Sequence, residues 1–315
     1  MGRRRKGEAV SGWIVLDKPE GLGSTQAVSR VRRAFNAQKA GHAGTLDPLA
    51  SGVLPIALGE ATKTVPYLVE ADKTYRFTVR WGIETASGDR EGGITARSEA
   101  RPAPEAVRDA LQTFVGQIEQ VPPAYSAVKV GGERAYDLAR EGIEVELKPR
   151  LVVIHAARLV EAPDADHAEL EIDCGKGTYV RALARDLALG LGTVGHVSAL
   201  RRTRVGPFGL DRAITLEILE EMCHRGAGSE VLLPVETALD DIPAMAVTAE
   251  DAFRLSQGRP IVLLPRQVET LKARLASPTR GGFASRTVLA VHGGSPVSIC
   301  EMRAGQLSPT RVFNL

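Results

Sequence analysis

Between Lys73 and Trp81 the chain alternates: Tyr75, Phe77, Val79 and Trp81 are separated by Thr74, Arg76, Thr78 and Arg80. Successive side chains of a strand point to opposite faces, so this stretch predicts a half-buried strand with a basic, polar outer face. Leu170, Ile172 and Cys174 alternate with acidic residues and predict a second strand. Trp13 to Leu16 is a short apolar run ended by Asp17-Lys18-Pro19, which reads as a buried strand and a turn. Val288 to Val291 and Pro296 to Glu301 predict two strands near the end of the chain. Elsewhere the apolar spacing is helical. Ala27, Val28, Val31 and Phe35 form one stripe after Ser24-Thr25, which offers an N-cap. From Pro104, the residues Val107, Ala110, Leu111, Phe114 and Val115 form another, and Gly116 suits its C-terminal cap. Gly175-Lys176-Gly177-Thr178 leads into a third, made by Val180, Leu183, Ala184, Leu187, Ala188 and Leu191, with Arg181 in the first turn at the stripe's edge. Thr248, with Asp251 three residues on, has the pattern of a capping box, and Gly258 suits the end of that helix.

With 315 residues the chain is long enough for two domains. Its 43% apolar and 25% charged content is that of a soluble globular protein, and no apolar run approaches a membrane span. Met1 to Lys6 is basic, but no apolar segment of signal-peptide length follows, so a cytoplasmic location is expected. The 3 cysteines (Cys174, Cys223 and Cys300) show no paired spacing and the 6 histidines do not cluster. They predict small buried hydrophobes and no metal site. A net charge of +2 excludes a polycation. The basic residues are nevertheless bunched, at Arg30, Arg32, Arg33 and Lys39 and again at Arg201, Arg202 and Arg204. Each bunch suits either a phosphate track or a solvated helix face. Aromatic residues at 4% argue against a stacking platform for single strands.

The stretch Gly41-His42-Ala43-Gly44-Thr45-Leu46-Asp47-Pro48-Leu49-Ala50-Ser51-Gly52 places one carboxylate in a loop too rich in glycine and proline for helix or inner strand. Taken alone, an Asp before Pro is a plain turn former. The whole string, continuing through Val53-Leu54-Pro55-Ile56-Ala57-Leu58-Gly59-Glu60-Ala61-Thr62-Lys63, closely resembles the catalytic motif of the TruB family, bacterial tRNA pseudouridine-55 synthases. Pro122-Pro123-Ala124-Tyr125-Ser126-Ala127-Val128-Lys129 and Lys176-Gly177-Thr178-Tyr179-Val180-Arg181 resemble further family segments. The resemblance runs from about Gly12 to Thr237, and the ending from Ala304 to Phe313 is similar to the second half of a PUA domain, a small RNA-binding β-barrel.

What the resemblance implies is concrete. The fold is α/β (α+β): a mixed, largely antiparallel sheet with flanking helices, then a PUA-like barrel. The divisions are a basic tail at 1–9, a catalytic domain at 10–242 with an RNA-binding insertion at about 121–150, and a PUA-like domain at 243–315. The activity is isomerisation of one uridine in the T loop of tRNA, which needs no cofactor in principle. Asp47 is the nucleophile, attacking C1′ or acting through C2′. Arg181 pairs with it, although the same residue on sequence grounds is equally a surface arginine on a helix turn. Tyr75 stacks on the base, although the alternation also suits a core tyrosine. His42, Tyr179 and Leu200 contact substrate. Lys18 and Lys63 serve structure or phosphate contact. Two segments depart from the family pattern: the turn Thr85-Ala86-Ser87-Gly88-Asp89, and Gln267 to Arg286, which is longer and more basic than expected. The partner is tRNA, no membrane is involved, and the protein is expected to be a monomer. The rival readings are a non-catalytic RNA-binding or tRNA-folding protein on the same scaffold, a pseudouridine synthase with another RNA target, and a hydrolase using Asp47. The last lacks a second acid/base motif.

Overall fold

The computed structural model describes residues 7–126, 128–143, 145–275 and 286–315. Most of the basic tail, two positions of the 121–150 insertion, and 276–285 within the Gln267–Arg286 stretch lie outside those residues. The architecture is mixed α/β and falls into two compact units. One comprises the chain up to Asp47, Val53–Ala71 and Val205–Leu315; the other comprises Pro48–Gly52 and Asp72–Arg204. Among the described residues no helix is long and apolar enough to cross a membrane.

In the first unit, the strand Gly12–Lys18 pairs in parallel with Ile214–Thr215, in the register Leu16 with Ile214. The strand Ala40–His42 runs antiparallel to Ser51–Leu58, His42 opposite Ile56. The helix Ser24–Ala34 buries Ala27 and Val31 and is tied to the helix Leu216–His224 by a two-pronged Arg30–Glu220 ion pair at 2.6 Å. The core gathers Trp13, Val53, Ala57, Phe208, Val235 and Leu239. Trp13 and Phe208 meet with ring centroids 5.5 Å apart at 44°, and the Trp13 indole donates to the Val235 carbonyl at 3.3 Å. Burying the indole N–H is tolerable because it has that acceptor.

The C-terminal sheet, expected as a PUA-like barrel, is a curled half-barrel that does not fully close. Its five strands run in the order Ala244–Ala246, Thr287–His292, Ser295–Arg303, Gln306–Val312 and Ile261–Val262, and the two outer strands do not pair. Those outer strands have three and two residues, too short to close the ring. The inner strands are also covered on both faces. Val288, Ala290 and Cys300 pack with Leu255 and Leu271 of the helices Ala249–Ser256 and Pro265–Leu275. Leu289 and Ile299, on the opposite face, join the Trp13 cluster together with Phe313. Thr248 caps its helix by accepting from the Asp251 amide at 3.1 Å.

In the second unit, Lys73–Trp81 has the alternating burial its pattern predicts, and it pairs antiparallel with His167–Cys174, Tyr75 opposite Ile172. The sheet continues through Arg150–Asp164 to Gly116–Gln120, both antiparallel. On the other side of Lys73–Trp81 lies Gly195–Val205, which meets the beginning of Ser51–Leu58 in parallel, Arg202 opposite Gly52. The helix Pro104–Gln112 packs on Arg150–Asp164 and on the helix Val180–Gly190. Within the insertion, Lys129–Val130 and Glu133–Arg134 form a small hairpin before the short helix Ala135–Arg140.

Cys174 and Cys300 are buried as expected, and burial pushes their thiols up to about 12 and about 11. Cys223 is only half-buried, contrary to expectation, because it sits in the last turn of the helix Leu216–His224. The bunch at Arg201, Arg202 and Arg204 lies on a strand rather than a helix face. Arg202 is 1% exposed, Arg204 pairs with Asp173 at 2.8 Å, and Arg201 donates to the Ser51 hydroxyl at 3.3 Å.

Candidate active site

Asp47 sits half-buried in an irregular loop between buried anchors, Ala43 and Leu46 before it and Leu49 and Ala50 after it. Two glycines carry the turn. Gly44 has φ +89° and Gly52 has φ +99°, where other residues are strained. At Gly52 a Cβ would also fall 2.2 Å from the Arg202 carbonyl oxygen, so only glycine lets the loop enter its strand there. Gly41 needs no such freedom. It lies in the strand Ala40–His42 with ordinary angles and open space around it. His42, half-buried, is the last residue of that strand.

Lys18 is fully buried, and its ammonium donates to the carbonyls of Pro19 and Leu22 at 2.9 and 2.7 Å, bracing the turn that leads into the first helix. Lys63 donates to Glu60 at 2.6 Å and to the Val312 carbonyl at 2.7 Å, while Glu60 accepts from the Asn314 amide at 2.7 Å. These two lysines therefore hold backbone in place, Lys63 by fastening the end of the chain.

In the second unit, Arg181 is 7% exposed, which excludes the surface alternative. Its guanidinium donates to the Ser87 and Tyr125 carbonyls, each at 2.8 Å, and stands 3.4 Å from Asp89. Asp89, 3% exposed, also accepts from the Ser87 hydroxyl and from the Glu91 amide at 3.0 Å. The planar fork of an arginine suits this arrangement, since it fixes several acceptors at once. Three segments thus converge on one cation: the variant turn 85–89, the Pro122–Ser126 segment and the helix Val180–Gly190.

Tyr179 is the N-cap of that helix and is half-buried. Gln120, 2% exposed, clips its backbone: the side-chain oxygen accepts from the Tyr179 amide at 2.8 Å and the side-chain nitrogen donates to the Tyr179 carbonyl at 3.1 Å. Tyr75 and Leu200 are each 9% exposed, on Lys73–Trp81 and Gly195–Val205. The sequence marks Asp89 only as the end of the variant turn 85–89, and Gln120 not at all. A lone Gln at a strand end carries no signal of its own. Among the described residues there is no group of three or more His, Cys, Asp or Glu that could hold a metal.

Known proteins match this chain along its length. Residues 32–180 match the model of the TruB family pseudouridylate synthase N-terminal domain, and residues 181–240 match the tRNA pseudouridylate synthase B C-terminal domain. The chain is 65% identical to tRNA pseudouridine synthase B of Caulobacter sp. (strain K31) over 315 residues, covering 100% of both proteins. It is 49% identical to the protein of that name from Rhodospirillum rubrum, again over 100% of both. Among solved structures, an H/ACA RNP bound to a substrate RNA containing 2′-deoxyuridine contains a chain similar in fold, with a TM-score of 0.71 at 21% identity, covering 100% of this chain and 92% of that one. An archaeal box H/ACA sRNP Nop10–Cbf5 complex gives a TM-score of 0.70 at 21% identity over 96% and 86%. The chain belongs to the TruB family of pseudouridylate synthases and is an isomerase of that class.

Proposed function

We propose that the enzyme converts the uridine at position 55 in the T loop of tRNA to pseudouridine, with Asp47 as nucleophile. The observation that carries this reading is the unbroken motif from Gly41 to Lys63, with its single aspartate held half-buried on an anchored loop. Support for tRNA as substrate comes from relatives named tRNA pseudouridine synthase B that match the chain end to end.

The reaction breaks the bond from ribose C1′ to uracil N1, turns the freed base, and bonds C1′ to C5. Atoms and electrons balance within the substrate: C5 loses a proton and N1 gains one. Asp47 supplies a carboxylate either to C1′ directly or to the C2′ proton. In this reading Arg181 pairs with that carboxylate and orients it through its planar fork. In this reading Tyr75 stacks on the base and its hydroxyl moves the C5 proton. Tyr179 and Leu200 line the pocket, and His42 contacts RNA beside the flipped nucleotide. Extruding the base costs on the order of a few kcal/mol, recovered from pocket and phosphate contacts. The catalytic domain spans 10–242 in this reading. The C-terminal sheet, a PUA-like element at 243–315, grips RNA away from the reacting uridine.

The test is to incubate the purified protein with unmodified tRNA and map pseudouridine at single-nucleotide resolution. A single new site at position 55 is expected. Modification elsewhere, or none, refutes the assignment.

A further inference from the structure

Ser24 does not cap its helix. Gly23 takes the N-cap position, and the Gln26 side-chain oxygen accepts from the Gly23 amide at 3.2 Å. The Ser24 side chain is turned inward, leaving the residue 4% exposed. Its hydroxyl donates to the Leu46 carbonyl at 2.8 Å and accepts from the Leu46 amide at 2.9 Å. Both bonds go to the residue directly before Asp47.

The consequence is geometric. The Leu46 carbonyl belongs to the peptide plane that ends at the Asp47 nitrogen, so fixing it fixes the plane about which Asp47 turns. On the other side, Pro48 restricts the Asp47 backbone to extended angles. Leu46 is itself 3% exposed, so its side chain resists the same rotation. A serine hydroxyl donates one hydrogen bond, and here that bond and an accepted one close a ring on a single residue. Alanine at 24 offers neither partner, leaving a buried amide and carbonyl to seek others by moving the loop.

We infer that Ser24 is a positioning residue for Asp47, holding the peptide on its N-terminal side in the reactive register. The inference rests on the proposed role of Asp47. Misplacing a reacting group by about 1 Å costs on the order of 100-fold in rate.

The test compares Ser24→Ala and Ser24→Thr in single-turnover pseudouridine formation on unmodified tRNA at saturating enzyme, with tRNA affinity and melting temperature measured alongside. Ser24→Ala is expected to slow the chemical step by roughly 10- to 100-fold. Affinity should stay within about twofold, since Ser24 is only 4% exposed and its hydroxyl is engaged with Leu46. Ser24→Thr, which keeps the hydroxyl, is expected to recover most of the rate. A wild-type rate for Ser24→Ala overturns the inference, as does a loss confined to affinity, or a Thr variant as slow as the Ala variant. If Ser24→Ala does not fold, Ser24→Thr against Ser24→Cys compares a strong and a weak hydrogen-bonding group at the same position, and equal rates overturn the inference. Asp47→Asn runs in parallel. If it turns over normally, the reading of Asp47 fails; if it is inactive while Ser24→Ala is normal, only the positioning role fails.

Discussion

Asp89 offers the most searching perturbation of the second unit. It is 3% exposed, stands 3.4 Å from Arg181, and accepts from Ser87 and Glu91. Breaking a buried pair by removing one member typically costs about 3–5 kcal/mol. The Ser87 and Glu91 bonds would add about 1 kcal/mol each if independent. They share one carboxylate with the ion pair, so Asp89→Ala is expected to cost about 4 kcal/mol in total. At roughly 2–4 °C per kcal/mol for a unit of this order, melting should fall by about 8–16 °C. Asp89→Asn preserves shape and an acceptor for the Glu91 amide but removes the charge, so about half that loss is expected. Scanning calorimetry measures both. Single-turnover rates then show whether the turn 85–89 matters to chemistry through Arg181, in which case Asp89→Asn slows the reaction more than its modest destabilisation explains. Both variants melting within about 1 °C of wild type would refute the claim that this pair organises the unit.

Gly52→Ala places a Cβ 2.2 Å from the Arg202 carbonyl at φ +99°, so it should destabilise by well over 1 kcal/mol and slow turnover together, as read by urea unfolding and initial rates. Glu220→Gln should cost under 1 kcal/mol, because the pair with Arg30 is well exposed. The Arg30 guanidinium holds the Glu220 carboxyl below its ordinary value of 4.5, so this stabilisation is full above that pH and is lost as pH falls through the depressed value. Wild type and variant should therefore converge in acid; a gap that widens on acidification would reverse the assignment. Truncation before Pro243 strips Leu289, Ile299 and Phe313 from the Trp13 cluster. At roughly 1.5–3 kcal/mol each, that approaches the whole stability of a domain, so the truncate should not show a cooperative melt.

Legibility from sequence followed the physics of each element. Lys73–Trp81 has one buried face and one solvated face, so its period of two survives in the sequence and its bounds are read directly. Arg150–Asp164 was missed although it is the longest strand described, at 15 residues. Its register shifts between Ile154 and Ala156 and again between Leu159 and Glu161, and each bulge resets which side chains face inward. The alternation is therefore scrambled. Ser24 resembles a cap because a hydroxyl before an apolar stripe usually is one, and no local pattern reports a bond to a residue 22 positions away. That the C-terminal sheet stops at a half-barrel is hidden for a related reason. Strand patterning shows that the last strands have apolar faces, but not that one face is covered by Trp13 and its neighbours from the other end of the chain. For the candidate site, family-like segments point to Asp47, Tyr75 and Arg181, while the backbone-holding contacts of Ser24, Asp89 and Gln120 emerge only from the fold.

Asp47 is proposed to perform the chemistry on a uridine of tRNA. The direct measurement is single-nucleotide mapping of pseudouridine in unmodified tRNA treated with Asp47→Asn, beside a binding isotherm for the same variant. The expected result is tRNA affinity close to wild type with no pseudouridine at position 55. Near-normal modification by a well-folded Asp47→Asn protein would contradict it.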